Sequence, residues 1–176
     1  MSYIDNANQL DIKLEDVNDE KKKKIIAEAM DEEKQRDFYQ KLRTKINNYI
    51  SAHPHSKYIK YLVAAPDLFH LMCKLLADRR VPFGNKVLVG AAVVYFISPL
   101  DLISDLLPGI GLMDDIAIAV CVLNKLLKSV DKKIIDELWA GDEDLIEFFE
   151  DFLAFSDSDT GGKFLKKIVG FGGKRR

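Results

Sequence analysis

Apolar residues in this chain recur mainly at intervals of three and four, the spacing of one helical face. Phe38, Leu42, Ile46, Tyr49 and Ile50 keep that spacing, and the helix they predict ends near His53-Pro54-His55. Helix formers begin earlier, at Asp19. Ser56 is placed to cap a short segment holding Tyr58, Ile59, Tyr61, Leu62 and Val63. Pro66 suits the first turn of the next helix and Asp67 complements its positive end. Leu68, Leu71, Met72, Leu75 and Leu76 form the buried stripe of that helix, and Asp78-Arg79-Arg80-Val81-Pro82 ends it.

The pattern changes between Val81 and Leu127. One strongly apolar run enters a Ser98-Pro99-Leu100-Asp101 corner, passes a Pro108-Gly109-Ile110-Gly111 turn, meets Asp114-Asp115 and leaves in a second apolar run. Val87 to Ile97 has no polar face, which predicts a buried central helix. It is too short to cross a hydrocarbon core of about 30 Å at 1.5 Å per residue, and a re-entrant membrane hairpin is the alternative. Further on, Ile134, Ile135, Leu138 and Trp139 give one apolar face. Gly141 fits a helix stop and Asp142 an N-cap, ahead of a face made by Leu145, Ile146, Phe148, Phe149, Phe152 and Leu153.

No solenoid repeat and no strand set is visible. The expectation is an all-α fold, a compact multi-helix bundle of about six to eight helices with a central apolar helical hairpin. Residues 1–18 read as a polar N-terminal arm carrying the Leu10, Ile12, Leu14 alternation. Residues 19–155 read as the helical domain, and 156–176 as a linker and tail.

Composition narrows this picture. A chain of 176 residues, 48% hydrophobic and 31% charged, buries a core and is not a disordered segment. A net charge of -2 gives no global basic field, so nucleic acid is not an expected partner. Lys21 to Lys24 is offset by acids on either side and reads as a solvated helix face. Cys73 and Cys121 sit in apolar helical segments and read as buried free thiols of a reducing compartment. The N-terminus shows no signal-peptide pattern. His53 and His55 lack a third ligand nearby and read as an exposed turn, and His70 reads as a surface or hydrogen-bonded histidine.

The corner holds the candidate chemistry. Asp101, Asp105, Asp114 and Asp115 gather around one turn, and four carboxylates suit a hard divalent cation such as magnesium, manganese or calcium. Helix capping explains part of the set: Asp101 completes a capping box begun by Ser98, and Asp114 suits the cap of a helix starting near Asp115. Asp105 faces the negative end of a helix that Pro108-Gly109 must stop, so it needs a cation, a following helix N-terminus, or a partner among Arg79, Arg80 and Lys86. No nucleophile–base pair, phosphate loop or zinc spacing accompanies it, so no catalytic residue and no organic cofactor is assigned.

Tyr95-Phe96-Ile97-Ser98-Pro99-Leu100-Asp101-Leu102-Ile103-Ser104-Asp105, followed by Leu107-Pro108-Gly109-Ile110-Gly111-Leu112-Met113-Asp114-Asp115, resembles the YkvA-like family. That family is a bacterial domain of unknown function that also occurs in some eukaryotic membrane proteins. The resemblance covers roughly residues 66–127 and departs at Ser104, where the family commonly has proline. It implies a helical domain often found with membranes, and no reaction or cofactor.

The tail supplies the functional expectation. After the polar linker Ser156-Asp157-Ser158-Asp159-Thr160-Gly161-Gly162 come Lys163, Lys166, Lys167, Lys174, Arg175 and Arg176 with no acid among them. Phe164, Leu165, Ile168, Val169 and Phe171 interleave with these cations. As a helix, 164, 165, 168 and 169 share one face, the pattern of a segment that lies on an anionic lipid surface. The leading reading is a non-enzymatic module, cytoplasmic and peripheral at the inner membrane face. The alternatives are a cation-binding protein or metal-dependent enzyme using the aspartates, and a soluble module meeting an unidentified protein partner through an exposed aromatic face at Phe148 and Phe152.

Overall fold

The computed structural model describes residues 14, 16–97 and 110–157, of which 110–115, 156 and 157 are described by backbone alone. Among the described residues every regular element is a helix, as the apolar spacing predicts. The order is α1 (Asp19–Ala29), α2 (Glu32–Ala52), α3 (Ile59–Leu62), α4 (Ala65–Ala77), α5 (Phe83–Ile97), α6 (Ile110–Ser129), α7 (Lys132–Leu138) and α8 (Leu145–Asp157). The chain divides into two units, 1–140 and 141–176.

In the first unit α5 is the hub. It packs against α1, α2, α4 and α6, while α4 also meets α2, α6 and α7. Val87, Leu88, Val89 and Gly90 are buried in succession, and four residues at 100° steps turn through about 300° of a helix. Only a helix covered on nearly every side accommodates that. The stripe expected on α4 is buried in full, and Phe69 joins it. Phe69 meets Phe38 of α2 with ring centroids 4.7 Å apart, and Phe96 of α5 lies 6.1 Å from Phe38 and 6.3 Å from Phe69. This aromatic cluster ties the last turn of α5 to two neighbours.

Short-range polar chemistry sets the helix ends. Asn18 accepts from Lys21 N at 2.9 Å and starts α1. A break at Met30-Asp31 then separates α1 from α2, a division the apolar spacing leaves unmarked. Asp31 accepts from Lys34 N at 3.1 Å, and Gln35 Nε2 donates to the Ala29 carbonyl at 2.6 Å. The new cap and the satisfied carbonyl close one helix and open the next. As expected, α2 ends at an exposed His53-Pro54-His55 turn. Ser56 holds that turn: its hydroxyl accepts from Tyr58 N at 3.3 Å and lies 2.8 Å from the Tyr49 hydroxyl, and α3 itself has no side-chain cap.

Three local expectations are corrected. The cap of α8 is Asp144 and not Asp142: its Oδ1 accepts from Ile146 N at 3.0 Å and Glu147 N at 3.1 Å. The preceding helix stops at Trp139, in extended backbone, two residues short of Gly141. Phe148 and Phe152 are buried and offer no exposed aromatic face; their rings stack at 6.3 Å, and Phe149 meets Phe148 at 6.2 Å.

Gly90 marks the approach of α1 to α5. A Cβ built on it lies 3.5 Å from Ile25 Cγ2 and Leu76 Cδ2 and 3.7 Å from Ala29 Cβ, all ordinary contacts. Alanine therefore fits, and Gly90→Ala is expected to raise stability by about 0.5–1 kcal/mol through lower unfolded-state entropy. Gly90→Leu overfills the same space and is expected to lower stability by about 1–3 kcal/mol. Urea unfolding of both variants checks the pair. At the fully buried Leu123, Leu123→Ala is expected to cost about 2–5 kcal/mol in the same measurement.

Candidate functional site

The acid-bearing corner joins α5 to α6. Ser98, Pro99, Asp101 and Asp105 lie outside the described residues, as does the tail from Lys163 to Arg176. Asp114 and Asp115 are placed by backbone. They sit in the second turn of α6, which starts at Ile110. Asp114 is therefore no N-cap: the helix begins four residues before it. The helix-end field that would favour a carboxylate falls off beyond the first turn, so capping gives no account of this pair.

The three cations weighed as partners for Asp105 lie in or before the first turn of α5. The Ser129 hydroxyl donates to Asn85 Oδ1 at 3.2 Å, so the end of α6 meets the start of α5 and the two helices run antiparallel. Lys86, eleven residues from Ile97 on the same helix, is about 16 Å along the axis from the corner. Arg79 and Arg80 precede α5 at that same far end.

Arg80 also has a different task. Its Nε donates to Asp78 Oδ1 at 3.0 Å and its Nη2 to Asp78 Oδ2 at 2.8 Å, while Nη1 donates to Glu137 Oε2 at 2.8 Å. The Arg80 backbone N–H reaches Asp78 Oδ1 at 2.8 Å as well. One guanidinium thus clips the end of α4 to α7. These hydrogen bonds hold the Asp78 carboxyl down to about 2, with the charges of Arg80 and Lys86 adding to the effect. The same carboxylates raise Arg80 above its ordinary value.

The other candidate groups are structural in their surroundings. Cys73 and Cys121 are free thiols, half-buried, and burial pushes each up to about 12. His70 is on the surface; partial burial and then Lys74 lower its pKa. His53 stacks on Tyr49 with centroids 4.5 Å apart, and its Nδ1 lies 3.2 Å from the Tyr49 carbonyl. Lys21, Lys23 and Lys24 are exposed, the solvated face that their flanking acids suggest. Among the described residues no three His, Cys, Asp or Glu side chains come close enough to hold a metal ion. No described helix is long and apolar enough to cross a membrane.

Two outcomes follow. Asp78 is depressed in the folded protein, so its bonds to Arg80 stabilise above the ordinary carboxylate range and are lost as pH falls through about 2. Replacing Arg80 by glutamine is expected to return Asp78 to the ordinary carboxylate range, read by a carboxyl NMR titration. Both thiols are expected to react with a disulfide reagent at pH 8 far more slowly than in urea, because the thiolate is the nucleophile. Rapid reaction of the native protein would contradict the burial found at Cys73 and Cys121.

Comparison with known proteins agrees with the family resemblance noted across the corner. Residues 85–121 match the family model described as protein of unknown function, DUF1232. Uncharacterized protein ORF9 of Methanothermobacter thermautotrophicus is 25% identical over 107 residues, covering 58% of this chain and 73% of that protein. No solved structure matches the chain. The matched family segment begins in the first turn of α5, crosses the corner and ends midway along α6. Through that hairpin, residues 85–121, the chain is similar to the DUF1232 family.

Proposed function

We propose that this chain is a non-enzymatic helical module that attaches reversibly to the cytoplasmic face of a membrane through its C-terminal tail. The observation that carries this reading is the composition of Lys163 to Arg176: six cations, no acid and five large apolar residues in fourteen positions. Each cation near an anionic surface contributes about 1 kcal/mol, and burial of Phe164, Leu165, Ile168 and Val169 adds to it. Gly170, Gly172 and Gly173 disfavour a helix in water, which suits a segment that orders on the surface it meets. Attachment by such a segment needs no spanning helix.

Flotation with anionic liposomes tests this. The full chain is expected to float at low salt and to be released by high salt, and a chain ending at Ser158 is expected to float far less. Full-length protein that stays at the bottom of the gradient at low salt removes the proposal.

A second reading is favoured by the position of Asp114 and Asp115 inside α6. With capping withdrawn for Asp114, the set Asp101, Asp105, Asp114 and Asp115 stands as candidate oxygen ligands for magnesium, manganese or calcium. Calorimetric titration is expected to give a binding heat with one of these ions that Asp105→Asn abolishes. A flat titration with all three ions ends that reading.

A further inference from the structure

Charge is unevenly divided along the first unit. From Phe38 to Pro66 the chain carries Lys41, Arg43, Lys45, Lys57 and Lys60 and not one aspartate or glutamate. For a chain whose net charge is -2, that is a marked local reversal. The end of this stretch is α3 with its flanks, and it is amphipathic in an unusual sense. Tyr61 and Leu62 are buried. Lys57, Lys60 and Val63 are exposed, and they follow one another at intervals of three. Tyr58 and Val63 both have right-handed helical backbone, so Lys60 and Val63 lie along one ridge with Lys57 just before it.

The ridge combines two chemistries. Val63 is 50% exposed beside the Lys60 cation. The Lys57 ammonium lies 5.4 Å from the centre of the Tyr58 ring, which is itself only partly buried. Phosphates of a nucleic acid reward the lysines and gain nothing from an exposed valine. The boundary of an anionic bilayer rewards both: lysines at the headgroups, with valine and a tyrosine ring at the apolar edge. The helix packed against α3 is α6, which carries Asp114 and Asp115 in its second turn and Lys125 and Lys128 towards its end.

We infer that the Lys57–Lys60–Val63 ridge is a second contact with an anionic lipid surface, made by the folded domain itself. The identity of that surface rests on the membrane reading of the tail; the ridge is a separate contact with its own residues. Two weak contacts on one chain reinforce each other once the first has formed, so the ridge raises affinity above that of the tail alone.

The test uses the full chain throughout. Wild type and a tail-neutralised form (Lys163→Gln, Lys166→Gln, Lys167→Gln) are each prepared with and without Lys57→Gln and Lys60→Gln. Each is sedimented with phosphatidylserine–phosphatidylcholine vesicles at low salt. Loss of the two ridge lysines is expected to lower partitioning roughly tenfold in both backgrounds. Val63→Ser in wild type is expected to lower it a few-fold, with an unchanged melting temperature, and it reads the same ridge if the lysine variants fold poorly. Partitioning that none of these changes alters overturns the inference. So does a loss of duplex-oligonucleotide binding with vesicle binding intact, which would assign the ridge to nucleic acid. If tail neutralisation has no effect while the ridge changes still do, the tail reading fails and the ridge stands. If no form partitions, both fall.

Discussion

Burial of α5 is the constraint on which the first unit depends. A helix with Val87, Leu88, Val89 and Gly90 all out of water cannot lie on a surface. It must be surrounded, and α1, α2, α4 and α6 are the surroundings. The hydrophobic term that drives this is proportional to area and has no direction, so it selects enclosure without selecting an arrangement. The arrangement comes from shape: Gly90 of α5 lets Ile25 and Ala29 of α1 approach closely, and Phe38, Phe69 and Phe96 meet where α2, α4 and α5 converge.

Enclosing α5 also sorts the polar groups of the hairpin by end. Because α6 returns antiparallel, one end holds Arg79, Arg80 and Lys86, and the other holds the backbone of Asp114 and Asp115. Arg80 is satisfied at its own end by Asp78 and Glu137, both partly exposed, so this clip orients helices and adds little to stability. The segment matched by the family model is this same hairpin, both arms and the corner between them.

The charged surface then divides the chain a second time. The stretch from Phe38 to Pro66 is wholly free of acid, while Asp136 to Asp159 carries acids without a lysine or arginine. A net charge of -2 conceals both blocks, because it sums over the whole chain. Cationic residues in this protein are grouped in local segments, such as the tail and the 38–66 stretch, where apolar residues interleave with them.

By itself the sequence determined the helical class, the buried stripe of α4, the solvated Lys21–Lys24 face, the end of α2 at His53 and the antiparallel apolar hairpin. Each follows from residues three or four apart, or from proline and glycine acting on their own backbone, and such effects need no knowledge of the rest of the chain. Only the tertiary structure decided the others. Asp142 and Asp144 both suit a cap by residue type, and the structure shows the helix N–H groups of Ile146 and Glu147 bonded to Asp144. Asp114 reads as a cap until α6 is seen to start at Ile110. Phe148 and Phe152 read as an exposed face until their burial is seen. Arg80 finds Glu137 across 57 residues of sequence, a pairing that no local rule contains. Spacing fixes which side of a helix is apolar, and only packing fixes what that side meets.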